Sequence, residues 1–282
     1  MSDDDDYSEP QGTPDEPTPD TYVGRAKTAL VDLIESRQAV FYERQLQVMF
    51  EKPFFHWVTS RALNELAESG IIQSEYRPLI WVGNEAPDGA KTIPQIRFFA
   101  PRKLRFWRRR ATEINEIVGR FSVPDFSAAS GRHAEMLFDV AMERKGFHYA
   151  GHDVNEFDGK RWEQTKENLD RIYERDGIFY GAEIKNKLAY IDKAEMQRKL
   201  AMSLYLGLRP LFIVRAMPKT WTHQINKQGG FCLVYKFQLY PFGHLQFARE
   251  VKEKLGLPVD SPKAIQDGTI GRLLSWHLKH LT

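Results

Sequence analysis

Within the segment NLDRIYERDGIFYGAEIKN, residues 168–186, the dipeptide Asp176-Gly177 separates two β-rich runs. A two-residue turn that reverses antiparallel strands needs positive φ at both positions, and Asp-Gly meets that demand at little cost. Such a turn fixes the register of everything beside it. Arg175 must face Ile178, and counting outward places Asp170 directly opposite Glu183. Strand side chains alternate between faces, so Lys185 points to the same side as Glu183.

Directly opposed side chains stand ~5 Å apart, and like charges placed there destabilise a sheet. Two bare carboxylates at that spacing push one pKa upward unless a cation neutralises them. A divalent metal ion removes the conflict by taking an oxygen from each. Lys185 would add an ammonium that orients or helps deprotonate a water, or that offsets charge on a phosphate. Two carboxylates and a lysine on one hairpin face suit metal-assisted phosphodiester hydrolysis. The competing reading is an ordinary surface ion pair between Asp170 and Lys185, worth ~0–1 kcal/mol.

The flanking sequence alternates helix and strand. A helix is expected over 132–145 with Ala134, Leu137, Phe138 and Ala141 inward, then a strand over 147–150. Asp153, Glu156 and Asp158 read as a turn, and His148 and His152 as core histidines rather than a metal pair. After the hairpin, Asp192 and Glu195 form an Asp-x-x-Glu capping box ahead of a stripe of Met196, Leu200 and Leu204. Gly207 and Pro210 end that helix, and 211–214 reads as a buried strand. A strand over 231–239 and helices over 245–255 and 269–281 follow.

This order, a helix with Glu135, a strand, Asp170, the turn, Glu183-x-Lys185 and a helix, resembles the PD-(D/E)xK nuclease superfamily. The resemblance covers residues 130–216. Leu169 stands where the family's motif has proline, and Gln197 and Tyr205 loosely resemble the Gln/Tyr pattern of its RecB-type members. It implies Asp170, Glu183, Lys185, Glu135 and Gln197 as catalytic residues. It also implies Asp170, Glu183 and Glu135 as ligands to Mg²⁺, or Mn²⁺ in its place.

The charge distribution suits a polyanionic partner. Residues 1–20 hold eight acids and no base, leaving 30 acids against 40 bases, a net +10, for the remainder. The acidic, proline-rich stretch 1–20 reads as a disordered tail. One cysteine, Cys232, excludes an internal disulfide and Cys-cluster zinc sites, so His133-x-Glu135 is no Cys-ligated deaminase signature. No apolar run is long enough to span a membrane and no signal-like start is present, which points to a cytoplasmic protein.

From Tyr22 three helical patterns are expected, over 22–37, 42–50 and 54–69. Strands over 71–76, 79–82 and 95–99 follow, with a Gly/Pro/Asn-rich loop at 83–94. The string HWVTSRALNELAESGII resembles the third helix and first wing strand of a winged helix. That resemblance implies a third helix seated in the major groove, with His56, Thr59, Ser60, Arg61 and Asn64 as DNA contacts. A protein-docking module with Trp57 in its core is the alternative. Arg108, Arg109 and Arg110 open a connecting helix that could follow a phosphate backbone.

The expected fold is thus α/β: a tail (1–20), a winged-helix domain (21–101), a basic linker helix (102–122) and a restriction-endonuclease-like αβββαβ mixed-sheet core (123–282). The expected function is metal-dependent DNA endonuclease, with a homodimer left open. The alternatives are a non-catalytic DNA-binding regulator on a nuclease-like scaffold, or a nuclease for branched DNA or RNA.

Overall fold

The structure, a computed structural model, describes residues 19–81 and 93–281. Residues 1–18 of the expected tail and most of the 83–94 loop lie outside the described residues. Pro19 and Asp20 already belong to α1 (Pro19–Arg37), which buries Val23, Ala26, Leu30 and Ile34 at helical spacing. A short strand β1 (Phe41–Tyr42) leads into α2 (Glu43–Met49). Next, α3 (His56–Glu68) turns Val58, Ala62, Leu63 and Leu66 onto α1.

β2 (Ile72–Pro78) and β3 (Gln95–Pro101) pair antiparallel from Ile72–Pro101 to Pro78–Gln95, and β1 closes the other edge of β3. The strand expected at 79–82 does not form over Leu79–Trp81. Those residues instead meet α4 (Trp107–Phe121). Buried Asn115 accepts the Ile80 N–H at 3.1 Å and donates to the Pro78 carbonyl at 2.8 Å. Only glycine fits one turn later, because a Cβ on Gly119 would lie 1.8 Å from the Ile80 oxygen.

The second half is built on a five-stranded mixed sheet. Its strands are β4 (His148–Val154), β7 (Leu169–Arg175), β8 (Ile178–Lys185), β9 (Arg209–Val214) and β10 (Phe231–Val234). Their spatial order is β10-β9-β8-β7-β4. The β4–β7 and β7–β8 pairs are antiparallel, while β8–β9 and β9–β10 are parallel. Tyr180, Ala182 and Ile184 of β8 face α5 (Pro124–Glu143) and α9 (Asp267–Lys279) in one apolar cluster. The alternate residues Gly181 and Glu183 face α6 (Lys193–Tyr205), where a Cβ on Gly181 would crowd Ser203. β5 (Glu156–Phe157) and β6 (Lys160–Arg161) form a small hairpin between β4 and β7, with positive φ at Asp158 and Gly159.

Several expectations need correction. α5 begins at Pro124, a favourable first-turn residue, well before 132. The run 231–239 is broken: β10 ends at Val234, and β11 (Gln238–Leu239) pairs instead with β12 (Val259–Asp260) beyond α8 (Leu245–Leu255). The Asn186 side chain captures that turn, accepting the Leu239 N–H and donating to its carbonyl. α7 (Lys219–Lys227) was not anticipated. His148 and His152 are exposed on edge strand β4, bonded to Glu143 and Tyr149, and are not core residues. Trp57 is 56% exposed and fills no core. No helix among the described residues is long and apolar enough to cross a membrane.

The two halves share buried surface. One apolar cluster joins Tyr42, Phe98 and Trp107 to Tyr240, Val251 and Leu257. Beside it Arg215, at the end of β9, is 4% exposed. It donates to both Glu51 carboxylate oxygens, at 2.8 and 2.5 Å, and to the Lys187 and Leu188 carbonyls. The His56 ring stacks on Tyr190, with centroids 3.8 Å apart.

Burial alone would raise the Glu51 carboxyl, but Arg215 and neighbouring His56 outweigh it and hold its pKa below the usual value. A depressed carboxylate stabilises the fold above its unfolded pKa and loses that contribution as pH falls through the folded one. Glu51→Ala should cost about 3–5 kcal/mol at neutral pH by stranding Arg215. In urea melts the gap from wild type should close below the ordinary glutamate value of ~4.3. A gap independent of pH would show that the ion pair is not its source.

Candidate functional site

The hairpin turn is as the dipeptide requires, with φ of 52° at Asp176 and 74° at Gly177. The pairs from Arg175–Ile178 to Arg171–Ala182 hold the expected register. One step further the strands carry Asp170 and Glu183 side by side. Asp170 is half-buried, and its Oδ2 accepts the Ile184 N–H at 2.7 Å. Glu183 is 1% exposed.

Two lysines meet that buried carboxylate. Lys185 Nζ lies 2.5 Å from Glu183 Oε1, and Lys199 Nζ lies 2.9 Å from Oε2. Each glutamate oxygen therefore faces one ammonium group. Lys185 also reaches Glu195 Oε1 at 3.0 Å, and Lys199 donates to the Asn168 carbonyl. The result is an alternating chain, Glu195–Lys185–Glu183–Lys199, in which α6 supplies the two ends. Glu195 and Lys199 are four residues apart and therefore share a helix face. The Asp192 carboxylate caps α6 by accepting the Glu195 N–H at 3.0 Å.

Burial and the adjacent Asp170 charge raise the Glu183 pKa, outweighing the two lysines. Burial would lower Lys185, yet Glu183 and Asp170 overcome it and hold its pKa well above the usual lysine value. The two carboxylates thus favour the charged form of Lys185.

Glu135 lies on α5, on the other side of the sheet. Its Oε2 accepts from Arg171 Nη2 at 2.8 Å, and Arg171 also pairs with Asp139, which accepts the Tyr173 hydroxyl at 2.6 Å. Burial raises the Glu135 pKa, with Asp170 and Asp139 adding to the rise and Arg171 opposing it. Glu135 is thus electrostatically coupled to Asp170 but turned toward Arg171. Among the described residues no group of three or more His, Cys, Asp or Glu is gathered as a metal cluster. Gln197 is exposed and lines a shallow cavity of about 360 Å³ with Trp162, Gln164 and Thr165.

The expected DNA contacts separate into two groups. Thr59 is fully buried, because the inward stripe of α3 includes its position, so it cannot touch a ligand. His56 is held in its stack on Tyr190, and Ser60 is occupied by Glu43 and Gln47. Arg61 and Asn64 are exposed, beside Trp57. Arg61 pairs with Glu65 and Asp20, while Asn64 accepts from Arg97. Arg108, Arg109 and Arg110 are exposed and engage Glu75, Glu113 and the Gln38 carbonyl respectively.

Sequence reasoning missed Lys199 and Arg171, although both positions carry a signal. Lys199 interrupts the inward stripe between Met196 and Leu200, and Arg171 alternates with the apolar Ile172 on β7. No protein-family model matches the chain, and neither a curated protein nor a solved structure matches it.

Removing Lys199 should leave Glu183 with half its counter-charge. Lys199→Met is expected to cost about 3 kcal/mol at neutral pH. Losing a cation raises the already raised Glu183 pKa further, so protonating Glu183 relieves the variant first. The deficit should therefore shrink as pH falls from neutrality toward ~4.3. Melting curves across that range test this, and a constant deficit would mean that only packing had changed.

Proposed function

We propose that this chain is a metal-dependent DNA endonuclease of the PD-(D/E)xK kind, with an N-terminal winged helix that positions it on DNA. The observation that carries the reading is the buried Glu183 carboxylate beside Asp170. Each of its oxygens meets a lysine, while Asp170 spends one oxygen on the Ile184 N–H. Two adjacent carboxylates, one of them buried, repel each other, and a cation between them relieves that repulsion. Two carboxylates are enough for Mg²⁺, which keeps several waters and takes further oxygens from a phosphate.

The order α5-β4-β7-β8-α6-β9 supports the nuclease core, and the order of three helices followed by a β2–β3 hairpin supports the winged helix. In this reading Asp170 and Glu183 hold Mg²⁺ or Mn²⁺, and Glu135 joins them only when Arg171 releases it. A bound ion would supply Lewis-acid stabilisation of the phosphate and a more acidic water. Lys185, held charged by Glu183 and Glu195, offsets the negative charge that develops on the phosphate. Lys199 opposes the rise in the Glu183 pKa and ties that carboxylate to α6. DNA contact falls to Arg61, Asn64 and Arg108–Arg110, since Thr59 is buried and His56 is committed to Tyr190. A cytoplasmic setting agrees with the lone, buried Cys232.

A second reading, a DNA-binding regulator on a nuclease-like scaffold, is favoured by one feature. The chain Glu195–Lys185–Glu183–Lys199 is already internally paired. A cleavage panel separates the two. Linear, methylated, single-stranded and four-way-junction DNA, with an RNA control, would be incubated with Mg²⁺ or Mn²⁺. Asp170→Ala, Glu183→Gln and Lys185→Ala should each reduce cleavage by at least about 10²-fold, with DNA binding in Ca²⁺ retained. Full cleavage by purified Asp170→Ala would overturn the assignment, and no cleavage of any substrate would favour the scaffold.

A further inference from the structure

Phe106 is the most exposed large apolar residue among those described, at 82%. Its backbone is left-handed, φ 56° and ψ 18°, at the position immediately before α4. L-residues with a Cβ seldom adopt that conformation, and for a bulky side chain it is a genuine outlier. Glycine would be the ordinary choice there, and an apolar ring would ordinarily turn inward.

The surroundings hold the ring outward. Leu104 packs partly against the core and Trp107 is 8% exposed, so the chain is anchored on both sides of Phe106. The 101–107 segment is further tied by the Leu104 N–H to the Pro101 carbonyl at 3.1 Å. Residues 102–110 carry six cations and no acid. Arg102, Lys103 and Arg105 are exposed and make no ion pair among the described residues, unlike Arg108 and Arg109 on the helix behind them.

An exposed aromatic ring flanked in sequence by exposed cations, with no ion pair among the described residues, matches one chemistry: a phosphate backbone whose base is free to stack. In a paired duplex the base faces are already covered, so the ring needs an unpaired or unstacked base. An apolar side chain held out in this way can also wedge between base steps where a duplex opens. A membrane fits less well, since surface insertion relies on an extended apolar face and Leu104 and Trp107 are turned into the core. We propose that Phe106, with Arg102, Lys103 and Arg105, binds DNA at a junction between duplex and single strand by stacking on an unpaired base. This rests on the DNA-directed reading above and narrows its substrate class.

Binding by fluorescence anisotropy in EDTA tests the proposal whether or not the protein hydrolyses DNA. The probes are a duplex with a single-stranded overhang and a blunt duplex of equal phosphate count. Wild type should prefer the overhang. Phe106→Ala should weaken binding to it by roughly 5- to 150-fold while changing less than about twofold on the blunt duplex, with an unaltered salt slope. Phe106→Trp should retain the preference. Replacing Arg102, Lys103 and Arg105 by Ala should weaken both probes and flatten the salt slope by roughly one for each phosphate no longer neutralised. Phe106→Gly, which relieves the left-handed strain, should melt no lower than wild type yet abolish the overhang preference. That result would separate a functional ring from a structural one. No preference in wild type, equal weakening on both probes, or Phe106-dependent binding to phosphatidylserine vesicles without DNA binding would each overturn the inference. Intact cleavage alongside such a result would leave the nuclease reading standing.

Discussion

A carboxylate that is 1% exposed must be neutralised within the protein, and at Glu183 two lysines do so from two directions. Burying an ion costs several kcal/mol even after relaxation, and only close opposite charges offset it. That constraint governs the local architecture. Lys185 comes from the same strand and Lys199 from the helix packed over it, so the pair fastens α6 to β8. Glu195 binds the far side of Lys185, and its N–H is capped by Asp192, so the start of α6 is fixed by the same charges. Across the sheet, Arg171 gathers Glu135, Asp139 and, through Asp139, Tyr173. The sheet thus separates two charge systems, with Asp170 near both.

The segment from Lys185 to α6 is held by residues distant in sequence. Arg215 grips the Lys187 and Leu188 carbonyls while pairing with Glu51, and Tyr190 lies flat against His56. The base of α3 therefore touches the chain that leads from one lysine-bearing strand to the capped helix. Tyr190 lies five residues from both Lys185 and Glu195. The shared cluster of Tyr42, Trp107, Tyr240 and Val251 gives the two halves a common core.

Local chemistry makes much of this legible in the sequence. Asp176-Gly177 determines its own turn, and the register follows from it, so counting outward from that dipeptide is enough to bring Asp170, Glu183 and Lys185 together. Asp192, Gly207 and the stripe of Met196 and Leu200 likewise define α6. What sequence could not supply were partners set by tertiary contact. Glu51 and Arg215 are 164 residues apart and carry no local mark of their pairing. α7 is short and turns only Trp221 and Ile225 onto the core, too few apolar positions to mark a helix in the sequence. Thr59 failed as a surface residue because α3 turns a wide arc inward, and His148 failed as a core residue because β4 is an edge strand. Lys199 was readable in principle, since a lysine on an inward stripe needs an acid to meet it.

The central claim is that the buried Glu183 and Asp170 form a cation site rather than a closed structural ion pair. Manganese binding, followed by electron paramagnetic resonance on the full chain without nucleic acid, addresses it directly. The account predicts one tightly bound Mn²⁺ per chain, abolished in Glu183→Gln and in Asp170→Ala but kept in Lys185→Ala. No bound ion in wild type, or the same binding in Glu183→Gln, would contradict it.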